Sequence, residues 1–90
     1  MKNKLYVVTG ICYPYEYDEP AYEIGEPIVK RSLEEAKNVF VKILEGIAEE
    51  AQTNRYEYST FFDNEGTSMV VKADEMFTDV YKIYEVEVDF

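Results

Sequence analysis

The chain has 90 residues, nine Lys and Arg against nineteen Asp and Glu, a formal net charge of −10, and 47% apolar and 16% aromatic residues. That length supports one domain over residues 1–90, and the apolar share excludes a wholly disordered chain. The charge argues against direct binding of nucleic acid, no apolar run approaches the roughly 20 residues of a membrane span, and no signal-peptide pattern stands at the start.

Leu5 to Tyr13 is rich in β-branched and aromatic residues, which suit a pleated, half-buried surface. Leu5, Val7, Thr9, Ile11 and Tyr13 share one face, Tyr6, Val8, Gly10 and Cys12 the other. Both faces are largely apolar, so the segment reads as an inner strand. Pro14 to Pro27 carries all three prolines, which have no N–H to give a sheet ladder. It reads as an extended excursion returning through a short strand, Ile28 to Lys30.

Ser32-Leu33-Glu34-Glu35 matches a capping box, in which the Ser32 hydroxyl accepts the Glu35 N–H and the Glu35 carboxylate reaches back. Leu33, Ala36, Val39, Phe40, Ile43, Leu44, Ile47 and Ala51 follow at three- and four-residue steps and form one apolar stripe. A helix over 32–52 is therefore expected, ending near Gln52 to Asn54 with Asn54 as a left-handed cap. Gly46 inside it costs about 1 kcal/mol relative to Ala and suggests a strand packed close there.

Tyr56 to Phe62 and Thr67 to Ala73 flank Asp63-Asn64-Glu65-Gly66, whose residue types suit a tight reversal, so these form a hairpin. Asp74 to Asp79 reads as a loop or a single helical turn. Val80 to Phe90 alternates, with Lys82, Tyr84, Val86, Val88 and Phe90 on one face and Ile83, Glu85, Glu87 and Asp89 on the other. One face should pack and the acidic one meet water. The expected fold is α+β: an antiparallel sheet of about four to five strands, order β-β-α-β-β-β, with one amphipathic helix burying its apolar surface.

Catalytic constellations fail early. There is no His, hence no triad and no zincin helix. The four glycines are isolated, so no phosphate loop is present. Asp63 to Thr67 lacks the ligand spacing of a calcium loop and reads as a turn. Cys12 sits in an apolar strand with no base beside it in sequence, and is expected to be a small buried hydrophobe. As a lone cysteine it can form no internal disulfide, which fits a cytoplasmic protein. No enzyme activity, metal or cofactor is expected.

The informative feature is the placement of charge. Residues 13–29 carry Glu16, Asp18, Glu19, Glu23 and Glu26 with no cation, and residues 74–90 carry six acids against Lys82 alone. Both segments also carry tyrosines: Tyr13, Tyr15, Tyr17 and Tyr22 in the first, Tyr81 and Tyr84 in the second. An acidic face serves solubility, but solubility does not require exposed aromatics. Tyrosine beside carboxylate suits a binding surface, the ring supplying rigid contact area and the acids selecting a basic partner. The alternative is that these rings pack on the sheet edge. Glu85, Glu87 and Asp89 on one strand face repeat every 6.6 to 6.8 Å or so, close to the spacing of backbone phosphates.

The chain resembles, in size, charge and the segments YPYEYDEPAYEIGEP and YKIYEVEVD, the small acidic anti-restriction and anti-CRISPR proteins with which phages and mobile elements block host nucleic-acid enzymes by DNA mimicry. IVKRSLEEAKNVF also resembles short phage proteins with a hairpin followed by an S-x-E-E-A helix. The resemblance implies an inhibitor acting in the host cytoplasm on a basic protein, a nucleic-acid-binding protein or nuclease complex. The partner-binding residues expected are Tyr15, Glu16, Tyr17, Asp18, Glu19, Tyr22, Glu23, Glu85, Glu87 and Asp89. For these to form one face, segments 13–29 and 74–90 must be adjacent, with the last strand beside the first and the Pro-rich excursion overhanging it. The alternative is an interaction or structural module, homodimeric through its sheet edge, whose acidity serves only solubility.

Overall fold

A computed structural model describes residues 2–15 and 19–89. Its elements are β1 (Lys2–Pro14), β2 (Tyr22–Glu23), β3 (Ile28–Lys30), α1 (Leu33–Asn54), β4 (Tyr58–Phe62), β5 (Ser68–Ala73) and β6 (Phe77–Asp89). The sheet is six-stranded and antiparallel, in the order β2-β1-β6-β5-β4, with β3 also on β1. The expected α+β class and element order hold, with the two-residue strand β2 added. Among the described residues no helix is long and apolar enough to cross a membrane.

β1 and β6 pair along their whole 13-residue lengths, from Lys2 opposite Asp89 to Pro14 opposite Phe77. β1 is an inner strand, as its two apolar faces require. Its other edge is shared by β3, opposite Tyr6 to Val8, and β2, opposite Ile11 and Cys12. The proline-rich segment is thus tied down by short ladders that avoid its prolines. Below Tyr6 in β1 and beyond Ile83 in β6, these two strands pair only with each other among the described residues. They form a two-stranded ribbon at one end of a molecule measuring 48 × 27 × 23 Å.

The helix starts where its sequence directs. Ser32 is extended at φ −132°, and its Oγ accepts the Glu35 N–H at 3.1 Å. The left-handed cap is Arg55 (φ 56°), one residue beyond the expected Asn54, and its N–H bonds the Ala51 carbonyl. Ala36, Val39, Phe40, Ile47 and Ala51 are buried, and Ile43 and Leu44 are partly buried against the same cluster. The cluster joins them to Val8, Met69, Val71 and Tyr81 from the sheet. Gly46 is not a close approach: a side-chain carbon there would meet nothing within 4 Å. The close approach is at Gly10, where such a carbon would lie 2.7 Å from the Tyr81 ring. The bare backbone of β1 lets that ring lie flat across it in the core.

Two turns differ in legibility. At 63–66 the Asp63 carboxylate accepts from the Thr67 N–H (2.8 Å), the Thr67 hydroxyl (2.9 Å) and the Ser68 N–H (3.2 Å). Its oxygens serve the turn, and Gly66 supplies the positive φ of 72°. At 74–76 the expected loop shrinks to three residues. Ala73 pairs with Phe77, the Met76 N–H returns to the Ala73 carbonyl at 3.1 Å, and Glu75 takes φ 61°. Phe77 to Asp79 therefore belong to β6.

The sequence pattern of β6 also needs correcting. Its helix-covered face is Phe77, Asp79, Tyr81 and Ile83, of which Asp79 and Tyr81 are buried. Glu85 and Glu87 continue that face beyond the packed cluster, which reaches only Tyr6 and Ile83. The aliphatic face, with Tyr84 and Val86, is the uncovered one. A strand longer than the helix above it carries core residues in one half and acids in the other, so alternation alone cannot say which face packs.

Candidate functional site

The register of β1 and β6 decides how the expected binding residues are arranged. Tyr13 and Pro14 lie opposite Thr78 and Phe77, and Cys12 opposite Asp79. Tyr15 donates its N–H to the Met76 carbonyl at 3.2 Å. The start of the proline-rich segment and the β5–β6 turn thus meet at one end of the sheet. Glu85, Glu87 and Asp89 lie at the other end, opposite Tyr6, Lys4 and Lys2. Eight residues of strand, roughly 26 Å, separate the Cys12–Asp79 pair from Lys4–Glu87. The expected segments are neighbours, but the expected residues form two clusters. β2 and β3, the strands of the excursion, pair with β1 on its edge away from β6. Glu16, Tyr17 and Asp18 lie outside the described residues.

The ribbon end is charge-compensated. The Lys4 ammonium stands 3.3 Å from Glu85 Oε1, and the Tyr6 hydroxyl donates to the same oxygen at 3.4 Å. Both ion-pair partners are about half exposed, so the pair contributes little stability. The hydrogen bond and charge of Glu85 raise the Lys4 pKa. One lysine of the neighbouring strand, Lys4, thus stands within the acidic row, paired with Glu85 and opposite Glu87 in register.

The tyrosine end differs. Two clefts open there. One, of about 730 Å³, is lined by Tyr13, Pro14, Tyr15, Glu19, Lys72, Asp74, Glu75 and Phe77 among others. The second, of about 390 Å³, lies toward the helix and includes Cys12, Glu19, Tyr22, Glu50, Asp79 and Tyr81. Glu23 sits on β2 opposite Ile11, exposed at the same edge. Tyr13, Tyr15 and Tyr22 are all exposed, so these rings do not pack into the core.

The second cleft holds a group that sequence reading missed. Asp79 is only 9% exposed. Its Oδ2 accepts the Tyr81 hydroxyl at 3.3 Å, while its Oδ1 is buried without a hydrogen bond. Burial raises its pKa; the Cys12 thiol and Tyr81 hydroxyl beside it hold it down, and Glu50 pushes it up again. Burial likewise raises the Cys12 thiol, with Asp79 adding to the effect and Tyr22 opposing it. Tyr81 is held protonated by burial and by Asp79. A thiol raised in this way is a poor nucleophile. What the cluster can do is place a carboxylate behind an acidic, aromatic opening. The missed signal was an Asp in alternation with Phe77 and Tyr81, visible only once β6 is known to begin at Phe77.

Among the described residues no group of three or more Cys, Asp or Glu is arranged to hold a metal ion. Comparison with protein-family models, with curated proteins and with solved structures finds no match to this chain.

Proposed function

We propose that this is a non-catalytic acidic binding protein that engages a basic partner, a nucleic-acid-binding protein or nuclease, through the tyrosine end of its sheet. It would block the surface on which that partner holds a phosphate backbone, as the phage anti-defence proteins it resembles do. The observation that supports this is the lining of the two clefts. Glu19, Glu50, Asp74, Glu75 and Asp79 stand among Tyr13, Tyr15, Tyr22 and Phe77, with Lys72 the one cation among the described lining residues. Carboxylates draw and orient a basic surface, and exposed tyrosine rings supply the contact area that holds it. A raised thiol pKa at Cys12 and the lack of any histidine favour binding over chemistry.

Capture from lysate tests this. The wild-type chain should retain basic nucleic-acid-binding proteins at low salt and release them at high salt. Charge reversal of Glu19, Asp74 and Glu75 together should abolish capture with the helical spectrum unchanged. Reversal of Glu85 and Glu87, where Lys4 already sits, should weaken it far less. Equal loss from both variants would mean that net charge alone does the selecting. No salt-sensitive partner at all would leave the second reading, an interaction module whose acidity serves solubility, which the uncovered sheet face favours.

A further inference from the structure

We infer that the helix-free face of the sheet is covered by the same face of a second copy of this chain. This goes beyond the proposed function, which is centred on the end of the sheet and shares with this face only the rim residues Tyr13, Lys72 and Thr78. The alternation of strands fixes the membership of that face. β1 contributes Leu5, Val7, Thr9, Ile11 and Tyr13, β6 contributes Val80, Lys82, Tyr84, Val86 and Val88, and Val70, Val29 and Phe61 extend it across β5, β3 and β4. No helix lies on it. Phe61 is 57% exposed, Val29 55% and Tyr84 49%.

Size comes first. Two 13-residue strands flanked by shorter ones present on the order of 700 Å² of projected face. A stable interface takes about 800 Å² from each partner. The face therefore has the area of one side of a standard interface. Charge comes second. In a chain of net charge −10, the charged residues that the register puts on this face are Lys72, Lys82 and Glu23. It is the charge-poor surface of an acidic molecule, so a second copy can approach it without carboxylates opposing one another. A basic partner would instead be drawn to the clefts. Two such twisted sheets can pack face to face about 10 Å apart, related by a two-fold axis, with both helices outward.

Salt separates this contact from the proposed one. Screening relieves repulsion between two −10 chains, so association should strengthen with salt where capture of a basic partner weakens. Sedimentation velocity across a concentration series should give a species of twice the 10.5 kDa chain mass, with its dissociation constant lower at 500 mM than at 50 mM NaCl. Tyr84→Lys and Phe61→Lys, at exposed positions, should each sediment as the monomer with unchanged circular dichroism. Val41→Lys, exposed on the outer side of the helix, should leave the dimer intact. A wild-type monomer at 100 μM and high salt would overturn the inference, as would a dimer indifferent to both face variants. So would a monomer whose face amides become protected from hydrogen exchange only when a captured basic protein is added. Each of these results leaves the salt-sensitive capture experiment to be judged by itself.

Discussion

Asp79 shows how a single side chain ties the fold to its chemistry. It is buried in β6 opposite Cys12 of β1, and the Tyr81 hydroxyl satisfies one oxygen while the other stays unpartnered. Because its folded pKa is raised above the ordinary 3.8, the folded chain holds this proton more tightly than the unfolded one. Its contribution is most favourable below pH 3.8 and is lost as pH rises through the folded value. Asp79→Asn removes the charge without changing the shape. Thermal melts should therefore show the variant gaining stability over wild type at pH 7, with the gain shrinking toward pH 4. A gain of constant size across that range would mean that the carboxylate's ionisation is not what limits stability. The thiol opposite follows the same logic: Cys12 should resist alkylation in the folded chain and react readily in denaturant, as a buried thiol with a raised pKa must.

At the scale of the elements, the helix was legible almost entirely, because its signals are local. Ser32, Glu35 and the stripe from Ala36 to Ala51 lie within a few turns of one another, and each acts where the sequence places it. Phe40 is 2% exposed, and Phe40→Ala should cost about 3–5 kcal/mol in denaturant melts. Gly46 was read the wrong way. It faces open space, so Gly46→Ala should stabilise by up to about 1 kcal/mol through helix propensity. Destabilisation there would mean that the helix packs more closely than the structure has it. The hairpin at 63–66 was legible for the same local reason, since Asp63 and Gly66 carry the turn themselves. The turn at 74–76 was not, because Glu75 occupies its left-handed position with no glycine to announce it. That concealment moved the start of β6 by three residues and hid Asp79 from view. Which face of β6 is covered was also illegible, since that depends on where a helix that ends at Asn54, two strands earlier in the chain, comes to rest.

Across the whole molecule, the sequence showed where the acids are dense but not how they assemble. Antiparallel pairing of the first and last strands sends the two ends of the last acidic segment to opposite ends of the sheet. Glu85 and Glu87 meet Lys4 of β1, while Glu19 shares a cleft with Asp74, Glu75 and the exposed tyrosines. The net charge of −10 thus becomes two unlike clusters and one charge-poor face. A protein so arranged can present its acidic aromatic ends to a basic groove while its sheet face is buried elsewhere. The most direct test of that account is competition on a captured basic partner, read by the fluorescence anisotropy of a labelled nucleic acid. Wild-type protein should displace the nucleic acid in a saturable way, and the variant reversing Glu19, Asp74 and Glu75 should not, at equal fold stability. Unchanged anisotropy while wild-type protein stays bound would place the contact outside the nucleic-acid groove and contradict the account.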